Sequence, residues 1–155
     1  MERAWELLQQ GYRAQMEGDY DRAVDLYKDS LDACPTAEAH TFLGWTYHFQ
    51  GKVDDAIAEC KRAIEVDPDF GNPYNDIGAY LISLGKFDEA IPWLESATRA
   101  PRYEPRHYPY FNLGRAYYAK GEINRARQYF QESLRIEPDY DLARQAVESL
   151  RRMVN

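Results

Sequence analysis

Along the chain, apolar positions fall into paired segments that repeat. Ala23, Tyr27 and Ser30 are spaced four and then three residues apart, the interval that places side chains on one face of an α-helix. The same triplet returns as Ala56–Cys60–Ala63, Ala90–Leu94–Ala97 and Ala126–Phe130–Ser133. A glycine precedes each (Gly18, Gly51, Gly85, Gly121), with an apolar residue two places later (Tyr20, Val53, Phe87, Ile123), and a proline follows each (Pro35, Pro68, Pro101, Pro138). The segments open on "DRA", "DDA", "DEA" or "NRA". Acidic and amide side chains suit the positive end of a helix, and proline after the last turn stops one.

Seven residues before each of those glycines stands another: Gly11, Gly44, Gly78 and Gly114. Each sits in the interior of the preceding helix, where glycine costs about 1 kcal/mol relative to alanine. A residue that weakens its own helix serves something outside it. The expectation is that each interior glycine faces the alanine of the partner helix, so that two small side chains let the backbones close, and that Gly78→Leu overpacks this contact. Successive interior glycines are 33, 34 and 36 residues apart. A period in that range predicts an all-α solenoid of stacked helix pairs. The helices are expected at about 2–16, 20–33, 36–50, 53–66, 71–84, 87–100, 108–120 and 123–136, with a ninth at 140–153.

The phased residues resemble the tetratricopeptide repeat, whose signature is W-x2-L-G-x2-Y, then A-x3-F, then P. Repeat 4 carries Tyr110, Leu113, Gly114, Tyr117, Ala126, Phe130 and Pro138; repeat 2 carries His40, Leu43, Gly44, Tyr47, Ala56, Cys60 and Pro68. Repeat 3 has Tyr74, Ile77, Gly78, Leu81, Ala90 and Leu94, with Pro101 one place early. Repeat 1 is loosest, with Leu7, Gln10, Gly11, Ala14, Ala23, Tyr27 and Pro35. The resemblance implies a right-handed α-solenoid spanning 1–155 as one domain, with repeats at about 2–35, 36–69, 70–103 and 106–139 and a C-terminal capping helix at 140–153. In that helix Leu142, Ala146, Leu150 and Met153 are expected to form the inward stripe, with Arg144, Gln145, Glu148, Arg151 and Arg152 covering the outer side. "APRYEPRHYPY", between repeats 3 and 4, has two extra residues and three prolines and is the longest and stiffest connection.

The resemblance further implies that the first helix of each repeat lines a concave face that holds an extended peptide or a helix. Carried onto this chain, the groove residues are Tyr12, Trp45, His48, Asn72, Asn75, Tyr108, Arg115 and Tyr118, a face rich in aromatics and poor in acids. Asn72 and Asn75, one turn apart, could bond to both N–H and C=O of an extended chain. Leu8, Met16, Phe49 and Phe111, on the same faces, are expected to pack between helices. One subclass of the family clamps a terminal carboxylate with lysine, asparagine and arginine. Here the matching positions are Leu8, Tyr12, Phe42, Asn72 and Asp76, with no cation among them, which argues against a chaperone-tail adaptor.

Composition narrows the partners. The net charge is −7, and residues 1–78 hold 7 basic against 16 acidic side chains, a balance of −9. That excludes a general nucleic-acid binder, which needs a basic face. No apolar run approaches the roughly 18 residues that span a bilayer, and "MERAWELLQQ" has none of the continuous apolar stretch of a secretory signal. Two cysteines, Cys34 and Cys60, in no paired or metal-like spacing, fit a reduced cytoplasmic protein.

Chemistry is sparse. His40, His48 and His107 show no ligand spacing with cysteine or carboxylate, so no metal or cofactor is expected. His40 reads as a bonded core histidine and Cys60 as an inert core thiol. A His48–Cys60 nucleophilic pair is the one arrangement imaginable across helices, and it ranks last. Asp54 and Asp55 open a helix, which accounts for them without acid–base chemistry. The expected function is a non-catalytic protein-interaction scaffold, with self-assembly through the groove as the alternative.

Overall fold

The computed structural model describes residues 1–154. Among them are nine helices: α1 (Glu2–Met16), α2 (Tyr20–Ala33), α3 (Ala37–Phe49), α4 (Val53–Val66), α5 (Asn72–Ser83), α6 (Phe87–Arg99), α7 (His107–Ala119), α8 (Ile123–Ile136) and α9 (Asp141–Val154). Every boundary lies within one residue of its expected place, because the punctuation is chemical. Thr36 Oγ1 accepts from the Ala39 N–H at 3.1 Å, and Asp19 Oδ1 accepts from the Arg22 N–H at 3.3 Å, capping α3 and α2.

The odd-numbered helices of the four pairs end alike. Gly18, Gly51, Gly85 and Gly121 all take φ between +75° and +81°, the left-handed conformation glycine adopts without penalty. The glycine N–H then bonds back to the helix, and so does the next residue: Asp19 to Ala14 O at 2.9 Å, Lys52 to Tyr47 O at 2.8 Å, Lys86 to Leu81 O and Glu122 to Tyr117 O at 2.9 Å. Orphan carbonyls are thereby satisfied, and the chain reverses into the partner helix.

Helices pair in sequence order and each pair stacks on the next, so the chain is an all-α, right-handed solenoid with a capping helix. One correction concerns the interior glycines. They face the large residue four places after the alanine, not the alanine side chain. A Cβ on Gly11 would stand 2.7 Å from Tyr27, on Gly78 2.4 Å from Leu94, and on Gly114 2.5 Å from Phe130. Only in repeat 2, where the large residue is the smaller Cys60, does the alanine backbone come close: the Gly44 Cβ would lie 2.9 Å from Ala56 O. Side-chain size at this one position therefore sets how near the two helices come.

Ser30 and Ser133, the small residues that end their triplets, donate across the pair to Ala4 O at 2.6 Å and His107 O at 2.9 Å. Their hydroxyls are buried and paired, as buried polar groups must be. His40 is held as expected, with its Nδ1 2.7 Å from Glu59 Oε2, while the other carboxylate oxygen, Oε1, pairs with Arg62. Tyr47 packs against both the core of repeats 1–2 and that of the rest of the array.

The capping helix is rotated from expectation. Ala143 and Leu150 are buried, with Ala146 and Val147 half-buried, whereas Leu142 is 54% and Met153 61% exposed. Ala146 and Leu150 face inward as expected, while Ala143 and Val147 take the places expected of Leu142 and Met153.

Candidate functional site

The interior glycines tie each odd helix to its even partner by one face, which leaves the opposite face of α1, α3 and α5 free. Two neighbouring clefts run along it. The first, about 420 Å³, is lined by Trp5, Leu8, Gln9, Tyr12, Arg13, Glu38 and Phe42. The second, about 320 Å³, lies between α3, α5 and the connection before α7, and is lined by Glu38, Thr41, Phe42, Trp45, Phe70, Asn72, Asn75, Asp76, Tyr103, Pro105 and Tyr108. Glu38 and Phe42 belong to both, so the clefts join into one trough.

Phe42 organises the aromatic wall. Tyr12 meets it edge-on at 5.6 Å, Tyr27 stacks on it at 6.0 Å, and Trp45 tilts against it at 6.5 Å. Tyr12 thus lies in the first cleft, and Trp45, Asn72, Asn75 and Tyr108 come together in the second. The other expected groove residues are engaged elsewhere. His48 stacks on Tyr80 at 4.7 Å, Arg115 Nη1 donates to Asn112 Oδ1 at 3.0 Å, and Tyr118 lines a separate recess with Phe130 and Met153.

Asn75 is buried, and its Oδ1 already accepts from Asn112 Nδ2 at 2.9 Å. Asn72 is half-buried and makes no side-chain hydrogen bond among the described residues. Leu8 and Phe111 pack inward as expected, but Phe49 (47%) and Met16 (52%) are exposed; Phe49 stacks outward on Tyr20 at 5.5 Å.

The connection between α6 and α7 is the largest feature that the periodicity does not foretell. It folds back onto the loop before α5: Gly71 N–H donates to Arg102 O at 2.9 Å, and Arg102 N–H donates to Asp69 O at 3.1 Å. The Tyr103 side chain packs against Gly71, where an added Cβ would stand 2.7 Å from its Cβ and Cδ2. Gly71 is the one glycine outside the seven-residue pairs, and only a residue without a side chain admits the ring. Arg102 crosses to α3, donating to Glu38 Oε1 at 3.1 Å, pairs with Asp67, and lies over the Phe70 ring at 4.6 Å.

Electrostatics single out Asp76. Burial raises its carboxyl from 3.8 to about 7, against the lowering pull of the Asn75 amide. It has no ion-pair partner among the described residues. Burial also raises Tyr103, with the Asp76 charge adding to it, and raises Tyr80, whose buried hydroxyl lacks a hydrogen-bond partner. Cys60 is fully buried and its thiol is pushed well above the ordinary range, the reverse of what an activated nucleophile needs. Among the described residues no three His, Cys, Asp or Glu side chains converge as metal ligands, and no helix is long and apolar enough to cross a membrane.

Three family models, each described as the tetratricopeptide repeat, match consecutive stretches at residues 4–38, 37–70 and 69–138. The chain belongs to the tetratricopeptide repeat family. It is 31% identical over 91 residues to the small glutamine-rich tetratricopeptide repeat-containing protein 2 of Mycosarcoma maydis, covering 57% of this chain and 26% of that one. It is 29% identical over 87 residues to the heat shock protein STI1 of Saccharomyces cerevisiae, covering 55% of this chain and 15% of that one. The chain therefore spans about a quarter or less of these relatives. The solved structure of pilF of Pseudomonas aeruginosa superposes with a TM-score of 0.90 at 23% identity, over 96% of this chain and 68% of that one. The first tetratricopeptide repeat domain of Spaghetti (RPAP3), bound to the HSP90 peptide SRMEEVD, superposes at 0.70 with 22% identity, over 77% and 93%. At these identities the two structures share its fold.

Within this tetratricopeptide repeat array, α1, α3, α5 and α7 are the first helices of the repeats, and the trough runs along the first three to the start of α7 at Tyr108. Family members of this kind are generally scaffolds. Asp76 entered the sequence reading only as a groove position without the clamp's cation, and Tyr103 and its neighbour Arg102 escaped it. Their one legible trace was Gly71, standing outside the repeat pattern.

Proposed function

We propose that this protein is a non-catalytic adaptor that captures an extended segment of a partner protein in the trough along α1, α3 and α5, and that it works in the cytoplasm as a single domain without a cofactor. What carries the reading is the continuity of the two clefts through Glu38 and Phe42. A trough walled by Trp5, Tyr12, Phe42, Trp45, Tyr103 and Tyr108 offers rigid contact area with polar tips, the surface type on which binding energy concentrates. Asp76 beside it would repel a terminal carboxylate, so the clamp of the family's chaperone-tail subclass does not transfer here. Tyr12, Trp45, Asn72, Asn75 and Tyr108 are the proposed contact residues; His48, Arg115 and Tyr118 flank them.

Selection of a random extended-peptide library against the wild-type chain tests this. Enriched peptides should bind at least tenfold more weakly to Trp45→Ala and Tyr12→Ala, with helicity intact, and equally well to the far-side variant Arg127→Ala. Binding that ignores both trough variants defeats the proposal. Self-association is the second reading, supported by the exposed apolar edge of Leu142 and Met153 on α9. A molar mass that stays monomeric across a light-scattering concentration series eliminates it.

A further inference from the structure

The second cleft has a charge pattern of its own. Its wall carries two carboxylates, Glu38 and Asp76, and no lysine or arginine, among aromatic rings and amides. The two acids are in different states. Glu38 is engaged by Arg102, whereas Asp76, half-buried on the same wall, has no cationic partner among the described residues. Desolvating a carboxylate without a counter-ion is costly, and a cation entering the cleft would relieve that cost.

The molecule already holds one basic group at the rim of this cleft. The Arg102 guanidinium is clasped by Glu38 and Asp67 while lying over the Phe70 ring at 4.6 Å. Carboxylate plus aromatic face is a combination that attracts cations, and arginine most of all. A second set of the same parts lies deeper in the cleft, where Asp76 shares the wall with Trp45, Tyr103 and Tyr108.

We propose that the second cleft is a pocket for a lysine or arginine side chain of the bound segment, with the Asp76 carboxylate as counter-ion and the rings of Trp45, Tyr103 and Tyr108 as walls. This rests on the trough being the binding surface, and it adds the chemical class of the anchor residue. Charge complementarity decides the occupant. An acidic side chain would face the unpaired Asp76 carboxylate, and a purely apolar one would bury it without a counter-ion. The balance of −9 over residues 1–78, which form the trough's first two repeats and most of α5, steers a basic segment towards the same place.

The test uses the full chain and three libraries of ten-residue peptides with random flanks. Their central residue is fixed as arginine or lysine, as aspartate or glutamate, or as leucine. Enrichment is expected from the basic library alone. The selected peptides should lose about 10- to 100-fold in affinity against Asp76→Asn, the scale of a charge-assisted contact, and recover part of it against Asp76→Glu. Asp76→Asn should melt no lower than wild type, which separates lost binding from lost fold. If acidic or leucine-centred peptides are enriched and depend on Trp45, the basic pocket is overturned while the trough stands. If no library is enriched, both readings fall. If basic peptides bind Asp76→Asn as well as wild type, the anchor is taken by Glu38 in place of Arg102, and the proposal is overturned.

Discussion

Gly78 and Leu94 allow the packing account to be tested through a change of sign. In Gly78→Ala the new methyl would stand 2.4 Å from both Cγ and Cδ2 of Leu94, and 3.3 Å from Cδ1. Cγ is the branch point, so the leucine cannot swing away by turning its tip. It is fully buried, with no solvent to retreat into. Overpacking of this kind costs about 1–3 kcal/mol. Against it stands the gain of about 1 kcal/mol from replacing glycine inside a helix. The net expectation is a loss of about 1–2 kcal/mol.

Leu94→Ala alone removes three buried carbons and costs about 2–5 kcal/mol. In that background the three atoms nearest the Gly78→Ala methyl are gone and nothing stands closer to it than 3.3 Å, so the helix-propensity gain dominates. The double variant is therefore expected to be more stable than Leu94→Ala by about 1 kcal/mol, a coupling of at least about 2 kcal/mol across the cycle. Urea unfolding followed by far-ultraviolet circular dichroism measures all four proteins, with the slope checked for constancy. Repeat 2 supplies the control. The nearest atom to a Gly44 methyl is the backbone Ala56 O at 2.9 Å, which no side-chain truncation moves. Cys60 Sγ, at 3.3 Å, is only the second-nearest atom, so Cys60→Ala should relieve much less of the Gly44→Ala cost than Leu94→Ala relieves at Gly78. Equal cost of Gly78→Ala in both Leu94 backgrounds would refute the packing reasoning, as would a gain in the wild-type background.

Three further outcomes are expected. Because the folded chain holds the Asp76 proton with a pKa of about 7 rather than 3.8, the folded state binds more protons than the unfolded chain between those values, and this group's contribution to stability falls as pH rises through that window. Asp76→Asn should therefore match wild type near pH 4 and exceed it by about 2 kcal/mol at pH 8, discounted for partial exposure from the ~4 kcal/mol of a fully enclosed group. Cys60, Tyr80 and Tyr103, the groups whose ionisation the Asp76 charge opposes, all stay neutral across the window, so a flat difference between the urea midpoints would count against the assignment. Tyr103→Ala should release the connection before α7 without unfolding the array: the amides of Gly71 and Arg102 exchange at least tenfold faster by hydrogen exchange, while those of α1–α4 keep their protection. Gly85→Ala meets no atom within 4 Å but must hold φ at +75°, so its cost is backbone strain alone, about 1–2 kcal/mol, and Gly85→Asn should recover part of it in thermal melts.

Periodicity made the helices legible because each boundary rests on a residue whose chemistry acts locally: glycine at a left-handed turn, proline past a last turn, an acid or threonine at a first one. It misjudged the glycine contacts because which residue meets a glycine depends on how two helices cross, and the repeat preserves spacing while varying bulk. Tyr27, Cys60, Leu94 and Phe130 occupy one phase, and only the small Cys60 lets the backbones meet. The trough shows the same limit more sharply. Phe42, Asp76 and Asn112 hold equivalent positions in successive repeats, and the structure makes them an aromatic hub, an unpaired carboxylate and a buried amide bonded to Asn75. A repeat averages over such differences, so what distinguishes this array from a generic one lies where its units disagree. Gly71 and Tyr103 disagree most: neither belongs to the repeating pattern, and together they bring the Arg102 loop to the edge of the trough. That loop places a cation in the molecule's own acidic and aromatic rim, and it leaves Asp76 as the position where a partner's basic side chain can be read.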